Sequence, residues 1–127
     1  LHRYVFHNRV LPKKLRKLIT HGHVYHHRYP LNADNLILPV FITLPISLFF
    51  LTVFILLFGT GYIFWFYTGE IVAYFLYEFM HYSAHHFNIK NKYFQYMRQH
   101  HLDHHKTSPN KKFMITHPLW DILFRTK

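Results

Sequence analysis

The distribution of apolar and charged positions divides the chain into a greasy centre and two polar flanks. A predominantly apolar run without any charged residue covers 36–58, and a second, mostly apolar stretch follows from 62 to 80. As a helix the first run would reach roughly 34 Å, which is enough to cross the hydrocarbon core of a bilayer. The sequence GTG at 59–61 separates the stretches and favours a tight reversal. The pattern predicts a membrane helical hairpin with helices at about 36–58 and 62–86.

Fixed charges lie almost entirely outside this hairpin. Between residues 35 and 82 they are Glu70 and Glu78, and no Lys or Arg occurs between Arg28 and Lys90. A soluble domain would interleave charge with its apolar positions, so a hairpin buried in a soluble protein is the weaker alternative. Because both flanks are basic, the positive-inside rule predicts that both face the cytosol. Anionic headgroups then account for the formal charge of +10, and we expect no nucleic-acid partner.

The length of 127 residues predicts one all-α domain, 1–127, in which a cytosolic helical cap continues the membrane hairpin. The chain has no cysteine, which excludes disulfides and thiolate metal sites. It begins at Leu1 without an apolar leader, so we expect it to be the C-terminal part of a longer protein.

The chemistry of the chain is concentrated in its 14 histidines, many of which are spaced to share a helix face. Two clusters have histidines at i, i+3 and i+4, a third has i and i+4, and a fourth pair is five residues apart. The ten candidate metal ligands are His2, His7, His23, His26, His27, His81, His85, His101, His104 and His105. On a helix, each of the first three clusters can direct two or three imidazoles towards a common point. The pair five apart could serve two metals, or one member could lie past a helix end.

Ten imidazoles are too many for one ion and suit two ions with about five ligands each. Imidazole binds iron, zinc, copper and nickel. Metal-bound histidines usually donate their other N–H to an acceptor, and Glu78 and Asp103 are the nearest acids in the sequence. His21 and His117 fall outside the clusters, and we interpret them as solvated surface residues.

The second predicted helix also carries a polar stripe at spacings of three and four residues. Its members are Glu70, Tyr74, Tyr77, Glu78, His81 and His85. Ionisable groups in a membrane helix usually face a bundle interior or a cavity. The stripe is either a set of helix–helix hydrogen bonds or a path into a metal site, and its histidine end favours the second interpretation.

Five segments together resemble, in order, the sequence boxes of the fatty acid hydroxylase superfamily of membrane di-metal oxygenases. They are HRYVFH (2–7), HGHVYHHRYP…LILP (21–39), YEFMHYSAHH (77–86), HHLDHH (100–105) and WDILFRT (120–126). Within the superfamily the chain is most similar to fatty acid 2-hydroxylases, whose two spaced prolines are matched by Pro30 and Pro39. The Tyr-acid dipeptide of that pattern is Tyr77 and Glu78, where the family usually has Asp.

This resemblance implies an enzyme that uses O2 and two iron ions to hydroxylate a fatty acyl chain at C2, in a sphingolipid or a free fatty acid. The family's ligands fall on the ten histidines above, with His21, His86 and His100 as conditional extras, and zinc could replace iron in a purified form. Tyr77 and Glu78 are the candidate catalytic residues and, with Tyr74, form one wall of the lipid site.

The same resemblance implies a multi-pass membrane protein with four transmembrane helices, of which the first two precede this chain. It would lie in the endoplasmic reticulum of a eukaryote or the inner membrane of a bacterium, with its histidines cytosolic. Electrons would come from a separate donor such as cytochrome b5 or a ferredoxin.

Three alternatives remain open. Single boxes also occur in sterol desaturases and carotenoid hydroxylases, which oxidise other lipids. A non-enzymatic metal-handling membrane protein would need ligands near the bilayer midplane, whereas these histidines lie at one end of the hairpin. A catalytically inactive relative would keep the same ten histidines.

Overall fold

The computed structural model describes residues 2–7, 12–33 and 36–127, and this part of the chain is helical without any strand, as predicted. A one-turn π-helix at the start and a short 3-10 turn accompany five α-helices. The elements are the π-helix His2–Phe6, α1 Lys13–Arg28, α2 Val40–Phe58, the 3-10 turn Thr60–Tyr62, α3 Ile63–His86, α4 Lys92–Lys106 and α5 Leu119–Leu123.

Helix α2 is the apolar run of the sequence, but it begins four residues later than predicted. Pro39 precedes its first residue, and a proline disfavours helical backbone in the residue before it. Leu36 instead ends a turn in which its N–H donates to the carbonyl of Ala33 at 3.2 Å, and its side chain is buried. No residue of α2 is buried within the protein.

By length and composition, α2 is the one described helix that could cross a membrane. Helix α3 is longer, at 24 residues, but it is less apolar because it carries both Glu70 and Glu78. A membrane span at α3 therefore stays a prediction.

Helices α2 and α3 form an antiparallel pair. Gly59 ends α2 with a φ of +76°, a backbone conformation that favours glycine, and the chain reverses through the 3-10 turn. Near the reversal the rings of Phe54 and Phe66 lie 4.7 Å apart. Further along, Ser47 Oγ donates to Glu70 Oε2 at 2.9 Å. The acid at this end of the polar stripe thus serves as a helix–helix hydrogen-bond acceptor.

Helix α4 packs along the last part of α3 and, with α1 and the π-helix, builds the cap. Its start is fixed by Asn91, whose Oδ1 accepts hydrogen bonds from the N–H groups of Tyr93 at 3.0 Å and Phe94 at 3.1 Å. Few apolar side chains are buried here, among them Phe94 and Met97. The interior of the cap is formed largely by imidazoles.

Candidate metal centre

The ten predicted ligands lie together as two groups of five. The first histidine group is His2, His7, His23, His27 and His104, and the second histidine group is His26, His81, His85, His101 and His105. Within each group, one nitrogen from every ring lies within 4.8 Å of the others. The groups are adjacent, since the rings of His27 and His105 stack at 4.3 Å. Four segments that are distant in sequence therefore converge on two neighbouring points.

The groups do not follow the sequence clusters, because neighbouring histidines on α4 serve different groups. His101 and His105, at i and i+4, belong to the second histidine group, whereas His104 belongs to the first. Successive residues of a helix are 100° apart, so the pair at i and i+4 diverges by only about 40° while adjacent residues diverge by about 100°. The same rule divides α1, where His26 is separated from His27. In each trio the two imidazoles at i and i+4 therefore share a group, and the third belongs to the other group.

The pair at five-residue spacing is brought together by the π-helix. Hydrogen bonds of a π-helix link i to i+5, which is the separation of His2 and His7. Their ring centroids are 5.1 Å apart and both belong to the first histidine group. His7 lies just after the helix end, as one of the two sequence interpretations required.

In the first histidine group, ring nitrogens converge more closely than hydrogen bonding alone can satisfy. His23 Nε2 is 3.1 Å from His2 Nε2 and 2.8 Å from His7 Nε2. Each ring nitrogen has one in-plane position for a proton or a lone pair, so it forms one good hydrogen bond at most. Among the described residues, the buried Nε2 atoms of His27 and His104 have no hydrogen-bond partner.

The second histidine group shows the same convergence. His101 Nε2 is 2.9 Å from His85 Nε2 and 3.0 Å from His105 Nε2, and His81 Nε2 is 2.9 Å from His26 Nε2. Two nitrogens bound at about 2.1 Å to one metal ion and at right angles would be about 3 Å apart. The spacing and the unsatisfied lone pairs of both groups therefore fit the binding of two metal ions.

Two outer nitrogens of the first histidine group are fixed by backbone carbonyls. His2 Nδ1 donates to the carbonyl of Phe113 at 2.7 Å, and His104 Nδ1 donates to the carbonyl of Lys111 at 2.6 Å. A proton held on Nδ1 leaves a lone pair on Nε2, which is the nitrogen that points into the group. Carbonyls of one short segment thus set the tautomer of two candidate ligands.

Burial keeps the candidate ligands neutral. Desolvation, followed by repulsion from the other imidazoles, lowers the pKa of His26 to about 4 and that of His27 to about 3. The same causes lower the pKa of His7 to about 4 and hold the pKa of His101 well below its usual range. At neutral pH these rings are therefore unprotonated, which is the form that binds metal.

The two acids expected to receive outer N–H groups do not do so. Glu78 Oε1 accepts from the N–H of Leu38 at 3.4 Å, and Tyr74 also hydrogen-bonds this carboxylate. Asp103 lies about 200° around α4 from His101, on the opposite face of the helix. There it accepts hydrogen bonds from the side chain of Gln99 and from the ammonium of Lys112.

Among the described acids, Asp121 is the one whose side chain hydrogen-bonds to the backbone of the segment beside the first histidine group, and its role was not predicted from the sequence. Its Oδ2 lies 2.9 Å from Nε2 of His100, one of the conditional extras. The tryptophan–aspartate pair in the last box, WDILFRT, was the available signal.

The remaining histidines stay outside both groups. His86 stacks on Tyr82 at 4.3 Å. His117 is exposed, as expected, and its Nδ1 accepts from the N–H of Leu119 at the start of α5. His21 is also exposed and lies beside a cavity.

An apolar cavity of about 500 Å³ reaches both histidine groups. It lies between α1, the segment 36–39, the start of α2, and α3. Tyr77 lines it, whereas Tyr74 and Glu78 do not. Three of the ten candidate ligands line it, His23, His26 and His81, and most of the other lining residues are apolar, including Leu18, Ile19, Leu36, Phe41 and Ile42.

A family model described as fatty acid hydroxylase matches residues 1–126 of the chain. No curated protein and no solved structure matches the chain.

Proposed function

The chain belongs to the fatty acid hydroxylase family, and we propose that it carries the di-iron centre of an enzyme that hydroxylates C2 of a long fatty acyl chain with O2. Family membership makes it an oxygen- and metal-dependent lipid hydroxylase associated with membranes. One observation carries the finer proposal: two five-histidine groups lie side by side, and members of both line one mostly apolar cavity.

The shape of the cavity supports an acyl chain as the substrate. Its volume of about 500 Å³ lies within the range of small-molecule sites, and its lining is mostly apolar. His23 belongs to the first histidine group, and His26 and His81 belong to the second; all three line the cavity. A carbon atom bound beside these histidines would therefore lie next to both metals, while the rest of the acyl chain contacts the apolar lining.

Tyr77 supports oxidation close to the acyl head. Its side chain lines the cavity, and its ring centroid is 5.8 Å from that of His81. A phenol hydroxyl there can donate a hydrogen bond to the carbonyl oxygen of the acyl group, which would place C2 next to the metals. Glu78 acts differently, because its bond to the N–H of Leu38 holds α3 against the segment that forms the cavity wall.

The iron ions, when bound, would supply the reduction and cleavage of O2, with one oxygen atom inserted into the C–H bond and the other released as water. We propose that the two electrons come from a separate donor such as cytochrome b5 or a ferredoxin, as the family resemblance implies. Exposed lysines of the flanks, among them Lys106 and Lys111, offer a cationic surface for an acidic donor.

The placement of the cavity supports entry of lipid from the membrane. Phe41 and Ile42, at the start of the apolar helix α2, line its wall. We propose that α2 and α3 cross the bilayer as a hairpin in a multi-pass protein, with both flanks and the histidines cytosolic. The membrane would be that of the endoplasmic reticulum in a eukaryote or the inner membrane in a bacterium.

The proposal is tested by lipid mass spectrometry of cells that express the protein, supplied with long-chain fatty acids. We expect 2-hydroxy acyl chains from the native protein, none from His85→Ala and a strong reduction with Tyr77→Phe, which removes only the hydroxyl. His117→Asn is the matched control, because the change lies outside both groups and asparagine can still cap α5. Desaturated lipid or hydroxylated sterol or carotenoid would overturn the C2 assignment, and full activity of His85→Ala would overturn the metal centre.

A further inference from the structure

Asp121 is a buried carboxylate that binds four donors. Its Oδ2 accepts from Nε2 of His100 and from the N–H of Met114, both at 2.9 Å. Its Oδ1 accepts from the N–H of Phe113 at 3.1 Å and from the hydroxyl of Thr126 at 2.8 Å. The residue is 1% exposed. Each carboxylate oxygen therefore accepts two hydrogen bonds, and this one side chain links α4, the segment 111–114 and Thr126.

The segment that Asp121 holds is the one that fixes two candidate metal ligands. The carbonyls of Lys111 and Phe113 accept the Nδ1 protons of His104 and His2. Phe113 takes part in both interactions, because its N–H donates to Asp121 and its carbonyl accepts from His2.

The segment is not held by these bonds alone. Lys112 adopts a φ of 56°, in the left-handed region that is unfavourable for a lysine. Its N–H donates to the carbonyl of Thr126 at 2.6 Å, and its ammonium pairs with Asp103. Such a backbone persists only where its surroundings fix it, and Asp121 contributes two of the hydrogen bonds that do so.

The influence of this segment falls on one side of the metal centre. His2 and His104 both belong to the first histidine group. In the second histidine group, by contrast, the outer Nδ1 atoms of His26, His81 and His101 are buried without a partner in the described structure. No carbonyl of 111–114 contacts them.

We propose that Asp121 is a positioning residue for the first histidine group, and that it sets the metal affinity of that group and not of the second. This rests on the proposed metal centre. Asp121 acts through the segment 111–114, which holds the Nε2 atoms of His2 and His104 towards the ion.

Replacement by asparagine would show this selectivity. Asp121→Asn keeps the shape but places an NH2 group against a backbone N–H whichever way the amide is turned, that of Phe113 or that of Met114. The segment would shift, and His2 and His104 would lose their fixed tautomer and direction. Loss of such supporting groups typically weakens metal binding about 10- to 100-fold.

The test is a zinc titration of the purified protein in detergent against a competing chelator. The native protein should bind two ions. Asp121→Asn should bind one ion with native affinity and the other about 10- to 100-fold more weakly. Glu70→Gln is the matched control, since it makes the same carboxylate-to-amide change at an acid that binds Ser47, away from both groups; both its affinities should be native.

The outcomes separate this inference from the proposed metal centre. A native protein that binds no zinc rejects the metal centre. If the native protein binds two ions and Asp121→Asn binds both as tightly, Asp121 has no positioning role. Equal weakening of both sites also overturns the inference, because it indicates a general structural defect.

A second readout needs no metal. In a ¹⁵N-histidine NMR spectrum of the metal-free protein, His2 and His104 should carry their proton on Nδ1, and Asp121→Asn should mix their tautomers. Thr126→Val removes a single donor to Asp121 and decides the matter if Asp121→Asn loses its helical circular dichroism. It should weaken only the first histidine group, by several-fold; native affinity at both sites in Thr126→Val would overturn the proposal.

Discussion

The division of α4 between the two histidine groups gives the sharpest prediction. His104 and His105 are adjacent in sequence, yet they belong to different groups. Replacing either one with alanine removes one of five nitrogens from its own group and leaves the other group complete. We therefore expect each single variant to lose one tightly bound metal ion of two, and the double variant His104→Ala/His105→Ala to lose both.

The energetic consequence follows from linkage between binding and folding. At a free metal concentration 100-fold above the dissociation constant, each ion stabilises the folded protein by about 2.7 kcal/mol. Loss of one ion should remove about half of the metal-dependent stabilisation, and the double variant should have none. Because His104 is fully buried, its removal also costs packing energy. The difference between metal-loaded and metal-free melting cancels that packing contribution, since it is present in both measurements.

The assay is elemental analysis after dialysis against a weak chelator, together with melting followed by circular dichroism with and without metal. His117→Asn serves as the control and should retain two ions. The alternative is that His101, His104 and His105 serve one ion, as their spacing alone suggested. In that case both single variants would lose the same ion, and the double variant would keep the other. One ion retained in the double variant would refute the arrangement seen here.

Three further outcomes follow from the structure. Ile19→Trp should fill the cavity, so that hydroxylation of the longest acyl chains falls in lipid mass spectrometry while both metals stay bound. The stability of the metal-free protein should fall as the pH drops from about 6.5 towards 4, because histidines of the unfolded state take up protons before His26, whose pKa in the folded protein is lowered to about 4. Above about pH 6.5, histidine titration should leave the stability unchanged. Melting at a series of pH values measures this, and bound metal should move the loss of stability to lower pH. In the native membrane, a Thr60→Cys variant should react with an impermeant thiol reagent from the outside and a Ser108→Cys variant should not, whereas the reverse pattern would overturn the positive-inside argument.

Features that depend on residues close in sequence could be predicted from the sequence. The apolar run and the glycine at 59 predicted the reversal, which the structure contains, because helix length and turn formation are local properties. Helical spacing and family resemblance selected the ten histidines, and the structure brings all of them together. Helix α2 begins at Val40 and not at about residue 36, because Pro39 disfavours helical backbone in the residue before it.

Only the tertiary structure decided which histidines share a group. Periodicity gives the angle between residues on one helix. Which residues of other helices a given helix face contacts depends on how α1, α3 and α4 pack against each other. For the same reason the acids nearest in sequence, Glu78 and Asp103, bind other partners. Asp121 is distant in sequence from the ligand clusters, but folding brings it to the segment beside His2, which it holds. The sequence determined the ligands available and the helices that carry them, whereas long-range packing divided the ligands into two groups and placed the cavity beside both groups.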